Sequence, residues 1–283
     1  MQKINDYIKL MRIKHYIKNI LVFIPLFFAG EIFEVKKVCI GLQGFICFSL
    51  VSSFVYILND ILDIEKDKKH PKKKFRPLAS GRVSKKEAIC LLCVCLGLAI
   101  AFSTFTGNLS SLGLLILYLG LNISYSIKLK DYPIVDIIVL ASGFVIRIFY
   151  GGIITDVEIS GWLYLVVVSG ALYMGLGKRR NELKGNKDTR KVLKYYNDSF
   201  LGKNMYVCVA LANVFYALWS MEFENPKMIW TVPIFMVILM CYSYDIEGES
   251  DGDPVEVILH DRILVGIVIG YAICLFWLVY FTI

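Results

Sequence analysis

Residues 54–82 read FVYILNDILDIEKDKKHPKKKFRPLASGR, from Phe54 to Arg82. An apolar run reaches Leu58, and then Asn59, Asp60, Asp63, Glu65 and Asp67 follow within nine positions, interleaved with and trailed by lysines. The run behind them, 38–58, is long enough to cross a bilayer as a helix. The carboxylates therefore emerge where a membrane helix meets water, and cations surround them. Both facts need a reason.

The rest of the chain sets the context. It has 283 residues, 57% of them hydrophobic, with a mean hydropathy of +0.61. A soluble domain has too little interior for that much apolar surface, whereas a polytopic membrane protein turns it toward lipid. Apolar runs of roughly 17–25 residues mark about nine spans, near 19–33, 38–58, 87–106, 109–127, 134–153, 160–177, 205–221, 228–243 and 263–283. A charged amphipathic stretch, Lys3 to Lys18, precedes the first, which lacks a small-x-small cleavage site and so reads as a span rather than a signal peptide. No linker divides the composition, and 1–283 reads as a single polytopic membrane domain of the all-α class.

Cations alternate between loops. The N-terminus and the stretches 66–86, 128–130 and 178–194 are rich in Lys and Arg, whereas those near 106–110, 155–160 and 222–227 are not. The positive-inside rule puts the N-terminus and all the unusual charge clusters in the cytoplasm, at the inner cell membrane, with the C-terminus outside. The net charge of +7 follows from these loops and does not indicate a nucleic-acid partner. The eight cysteines lie almost wholly in apolar segments; Cys90, Cys93 and Cys95 lack a companion His or second pair and read as packing residues.

Asn59, Asp60, Asp63 and Asp67 form N-D-x-x-D-x-x-x-D. On a helix continued past Leu58 the three aspartates share one face at i, i+3 and i+7, where like charges repel. A stripe of oxygen ligands suits Mg²⁺, which accepts one or two carboxylates and keeps its other positions for phosphate oxygens and water. The alternative is a solvated helix end neutralised by Lys66, Lys68 and Lys69. The regular spacing, Asn59 and the following Phe75-Arg76-Pro77 favour metal-assisted chemistry on a phosphorylated substrate, with Asp60 and Asp63 as the catalytic pair.

This motif, followed by RPLASG (Arg76–Gly81), resembles the UbiA-type intramembrane prenyltransferase superfamily. RIKHYIKNILVFIPLFFAG (Arg12–Gly30), GFVIRIFYGG (Gly143–Gly152), GKRRNEL (Gly177–Leu183) and GDPVEVILHDRIL (Gly252–Leu264) resemble its decaprenyl-phosphate phosphoribosyltransferase branch. The resemblance implies a helical bundle with a cytoplasmic-side active site. It also implies Mg²⁺-dependent transfer of phosphoribose from phosphoribosyl diphosphate to a polyprenyl phosphate.

The superfamily carries D-x-x-x-D after the sixth span, where this chain has Lys178, Arg179, Arg180, Asn181 and Glu182. Cations there suit a substrate bearing more phosphate, since guanidinium forks bind such oxygens bidentately; basic residues at a cytoplasmic span end are the topological alternative. Lys184–Lys194 reads as a solvated amphipathic helix. Arg147 lies inside the fifth span at a cost of at least ~2.5 kcal/mol, lining a polar pocket or paired with another helix. Lys18, Arg76, Tyr125, Lys130, Arg147, Lys178, Arg179 and Glu182 are the expected substrate-binding residues. The acidic stretch Asp245–Asp261 adds Asp253, Glu256, His260 and Asp261 as a helical face over the site, or else a solvated loop.

An aromatic prenyltransferase of quinone biosynthesis is the enzyme alternative, and it calls for the missing second acidic motif. A transporter is the non-enzyme alternative, and it calls for paired broken helices that the chain lacks.

Overall fold

A chain in hydrocarbon must satisfy its backbone N–H and C=O groups internally, and the apolar runs accordingly fold as helices. The computed structural model describes residues 2–71, 73–106, 108–185, 190–248, 257 and 261–281, and no strand occurs among them. In order come α1 (Gln2–Met11), a 3₁₀ segment (Ile13–Phe23), α2 (Ile24–Phe28), α3 (Val35–Leu62), α4 (Ile64–Lys69), α5 (Lys85–Thr106), α6 (Leu109–Ile127) and α7 (Val135–Thr155). Then follow α8 (Gly161–Gly185), α9 (Asp198–Glu222), α10 (Val232–Glu247) and α11 (Arg262–Tyr280).

Eight described helices are long and apolar enough to cross a membrane. The first expected span, 19–33, is built differently: eleven 3₁₀ residues run into five α-helical ones. A 3₁₀ helix rises roughly 2.0 Å per residue against 1.5 Å for an α-helix. The ten residues from Asn19 to Phe28, which follow the last charge, therefore reach only about 18 Å, short of the roughly 30 Å of a hydrocarbon core. Many apolar side chains, among them Phe33, Leu109, Trp230 and Ile273, are exposed and suited to lipid. The chain is an all-helical, multi-pass membrane protein in its described residues.

The chain forms two compact units. One comprises Met1–Lys128 with Ile146–Val157, the other Leu129–Val145 with Glu158–Ile283. In the first, α3 buries small residues (Gly41, Gly44, Ser49, Ser52, Ser53) that let neighbouring helices approach closely. Gly151 on α7 is the tightest case, because a Cβ there would collide with the backbone carbonyl of Val22. Phe48, Val51, Tyr118, Ile146 and Tyr150 fill the core around this contact.

In the second unit α8 packs along α9, over Tyr173, Leu176, Leu201, Met205, Tyr242, Ile246 and Leu264. Helix starts are capped as their sequences dictate: Asn197 accepts from the Phe200 amide at 2.7 Å and Asp261 from the Ile263 amide at 2.8 Å.

Two expectations change. Helix α8 continues to Gly185, so Lys178–Glu182 occupy its last turns rather than a loop. Within Lys184–Lys194, expected as a solvated helix, residues 186–189 are outside the described residues and Lys191–Tyr195 is 3₁₀, with Val192 and Leu193 buried. Those two apolar side chains join the core of the second unit, which solvation would forbid.

Candidate active site

Helix α3 runs past Leu58 to Leu62 and breaks at Asp63, whose φ of −102° and ψ of 13° leave the helical region; α4 then restarts at Ile64. Asp60 and Asp67 thus sit on two helices rather than on one continuous face. Both are buried, and Asp63 and Asn59 are half-buried. One nitrogen of Arg76 donates to Asp60 at 3.1 Å and to Asp67 at 2.7 Å. Arg12 donates to the same Asp60 oxygen at 2.7 Å, and its guanidinium lies 4.7 Å from the centre of the Tyr56 ring. Asp63 pairs with Lys66 at 3.2 Å. The loop behind the motif is stitched down by Arg82, which donates to Asp6 at 2.9 Å and to the Phe75 carbonyl at 2.7 Å.

The motif implies a divalent cation, and Arg76 supplies the test of fit. Two buried carboxylates already converge on one positive group, so the donor set matches a hard cation that takes oxygen ligands. Among the described residues no three Asp, Glu, His or Cys side chains form a ready cage. Mg²⁺ needs none, because it is held by one or two carboxylates plus substrate phosphates. The residues present fit it.

Arg147, 5% exposed, lies in the same unit. It donates to Asn19 at 2.7 Å and to the Tyr118 hydroxyl at 3.2 Å, and its guanidinium lies 4.9 Å and 5.2 Å from the Phe48 and Tyr118 ring centres. Asn19 in turn donates to Ser49 at 2.9 Å. Neutral oxygens and two aromatic faces receive the arginine here. The arrangement ties the 3₁₀ segment, α3, α6 and α7 together.

A second charged cluster belongs to the other unit. Arg179 donates to Asp136 and, at 2.6 Å, to Glu182; Arg190 approaches Glu182 at 3.2 Å. Tyr196 donates to Asp136 at 2.6 Å and accepts the Ile134 amide at 2.6 Å. Ile134 has φ 69°, a strained value for a β-branched residue, and the Tyr196 hydroxyl holds it. Burial, reinforced by Asp136, pushes the Tyr196 phenol above its ordinary range. Arg180 is taken by Asp198 at 2.7 Å and by Glu247, which also accepts from Lys184 at 2.9 Å. Arg179 and Arg180 thus neutralise protein carboxylates.

Lys18 and Tyr125 are half-buried in the first unit, on the 3₁₀ segment and near the end of α6. Lys130 and Lys178 are half-buried in the second, on the short 3₁₀ turn Leu129–Asp131 and on α8. Asp253, Glu256 and His260 lie outside the described residues, and Asp261 caps α11. Sequence reasoning missed Arg12 as a partner of Asp60, and Tyr196 and Arg179 as partners of Asp136. Arg12 lay inside a recognised stretch, but nothing local links it to an acid far along the chain.

A profile of the UbiA prenyltransferase family matches residues 20–260. The chain is 31% identical over 282 residues to a decaprenyl-phosphate phosphoribosyltransferase of Mycolicibacterium smegmatis, covering 92% of this chain and 88% of the relative. With the protein of that name from Mycobacterium tuberculosis the identity is 32% over 271 residues, covering 91% and 88%. A solved UbiA homolog from Archaeoglobus fulgidus bound to DMAPP and Mg²⁺ matches with a TM-score of 0.70 at 19% identity, covering 96% of this chain and 99% of that one. A solved digeranylgeranylglyceryl phosphate synthase matches with a TM-score of 0.64 at 21% identity, covering 99% of each. These two likenesses speak for the fold. With acids closing the second span and a match along most of its length, the chain belongs to the UbiA prenyltransferase family.

Proposed function

We propose that the protein transfers 5-phosphoribosyl from phosphoribosyl diphosphate to a polyprenyl phosphate, releasing diphosphate. Relatives matching about nine tenths of the chain bear the corresponding name. The observation that carries the reading is that buried Asp60 and Asp67 jointly grip one cation where a membrane helix ends. The acidic pair that the broader family carries after its sixth span is missing from Lys178–Glu182, which weighs against an allylic diphosphate donor.

An oxygen of the acceptor phosphate attacks C1 of the ribose, and the bond from C1 to the diphosphate oxygen breaks, the diphosphate leaving with the electron pair. The attacking oxygen is already ionised near neutral pH, so no general base is required. Mg²⁺ held by Asp60 and Asp67, with Asp63 and Asn59 beside them, would neutralise charge growing on the leaving group. Arg12 keeps Asp60 in place. Arg76, Lys18 and Tyr125 bind phosphate oxygens. Arg147 acts through Asn19 to hold the segment bearing Lys18. The apolar helices receive the prenyl tail, and the chemistry sits at the cytoplasmic headgroup level of the cell membrane.

Purified protein given labelled phosphoribosyl diphosphate, Mg²⁺ and a polyprenyl phosphate tests this. Label passing into the lipid extract is the expected result. Transfer only from an allylic diphosphate to an aromatic acid would replace the reading with that of an aromatic prenyltransferase.

A further inference from the structure

Two arginines reach Asp60, and they are held differently. Arg12 has a left-handed backbone (φ 55°, ψ 47°), a conformation rare outside glycine, and its guanidinium is stacked on Tyr56. Backbone, ring and carboxylate together fix it. Arg76 rides on the loop after α4, with its side chain 26% exposed. A single nitrogen of Arg76 serves both Asp60 and Asp67, which come from different helices. Without a cation between them, two buried carboxylates this close would repel each other.

We propose that Arg76 is a place-holder cation, which neutralises Asp60 and Asp67 while no metal is bound and exchanges them for phosphate oxygens when a metal–diphosphate complex arrives. The inference rests on the reading above only in taking a metal–diphosphate as the ligand. It imposes an order of loading. Bare Mg²⁺ must evict a bridging guanidinium and offers it nothing in return. A metal–diphosphate brings oxygens that a guanidinium binds through charge-assisted bonds. Bare metal therefore binds weakly and the complex tightly. Arg12, locked by its ring and backbone, stays on Asp60 throughout.

Calorimetric titration of the full-length, detergent-solubilised protein with MgCl₂, with and without inorganic pyrophosphate, tests the exchange. Arg76→Gln is expected to bind Mg²⁺ alone about ten- to hundredfold more tightly than wild type, the equilibrium weight of one charge-assisted hydrogen bond. Its melting temperature without metal is expected to fall and to recover on adding Mg²⁺. In wild type, pyrophosphate is needed for comparable metal binding. Equal affinity of the two proteins for Mg²⁺ alone overturns the proposal, and so does failure of either to bind Mg²⁺ even with pyrophosphate. A structure of wild type with Mg²⁺ and pyrophosphate decides without any variant: Arg76 still bridging Asp60 and Asp67 would refute the exchange. Loading in this order without label entering lipid would uphold the place-holder and refute phosphoribosyl transfer.

Discussion

Arg179 on α8 donates to Asp136 on the first turn of α7, and neither side chain has any surface open to solvent. Removing one partner of such a pair strands a charge in the interior, whereas removing both leaves an apolar gap. Arg179→Met alone or Asp136→Leu alone is expected to cost about 3–5 kcal/mol. Thermal unfolding in detergent is the measurement. The double variant should recover part of that loss, and strictly additive effects would mean that the pair is not coupled.

Tyr196 adds a pH signature. Its phenol is raised above the ordinary value of 10.0 by burial and by its bond to Asp136, so folding favours the protonated form. The contribution is fully present below the unfolded pKa and is lost as pH climbs through the raised folded value. Tyr196→Phe is expected to cost about 1 kcal/mol. The cost should be equal at pH 6 and pH 9 and shrink only in solutions more alkaline than the ordinary phenol value. Melting temperatures of both proteins across that range check it.

The motif aspartates are not equivalent. Asp60 and Asp67 are buried and share Arg76, whereas Asp63 is more open and pairs with Lys66. Asp60→Asn and Asp67→Asn are each expected to lower phosphoribosyl transfer by about a hundredfold or more, the scale of losing a group that stabilises developing charge. Asp63→Asn should lose less. Initial rates over a range of Mg²⁺ concentrations rank the three, and an Asp63 variant as inactive as the other two would contradict the ranking.

Gly151 is a purely steric case. A methyl group there meets the Val22 carbonyl, which cannot swing aside as a side-chain tip can. Gly151→Ala should destabilise by about 1–3 kcal/mol or more. Gly97→Ala, where nothing lies within 4 Å, should be silent. Expression and thermal melting of the two variants in parallel separate these outcomes.

The membrane class and most helices were legible in the sequence because lipid imposes one rule on every crossing. Polar ends were harder to read. Helix α9 starts at Asp198 rather than near 205, its first turns carrying polar residues capped by Asn197. The break at Asp63 was hidden because spacing alone implied an unbroken helix. Arg12 meets Asp60 across 48 positions, and Asp136 meets Arg179 across 43. No local pattern records such pairings, since tertiary packing creates them. The same limit explains why Arg179 looked like a phosphate fork until its carboxylate neighbours came into view.

The extended opening stretch has a consequence for how the protein meets its membrane. An α-helical span with residues to spare answers a thicker or thinner bilayer by tilting. The 3₁₀ segment with α2 has little such slack, because it reaches its length by extension rather than by residue number. Acyl-chain length should therefore be felt first between Ile13 and Phe28. That stretch also carries Lys18 and the asparagine that Arg147 holds, so a change of lipid thickness should reach the polar face as well.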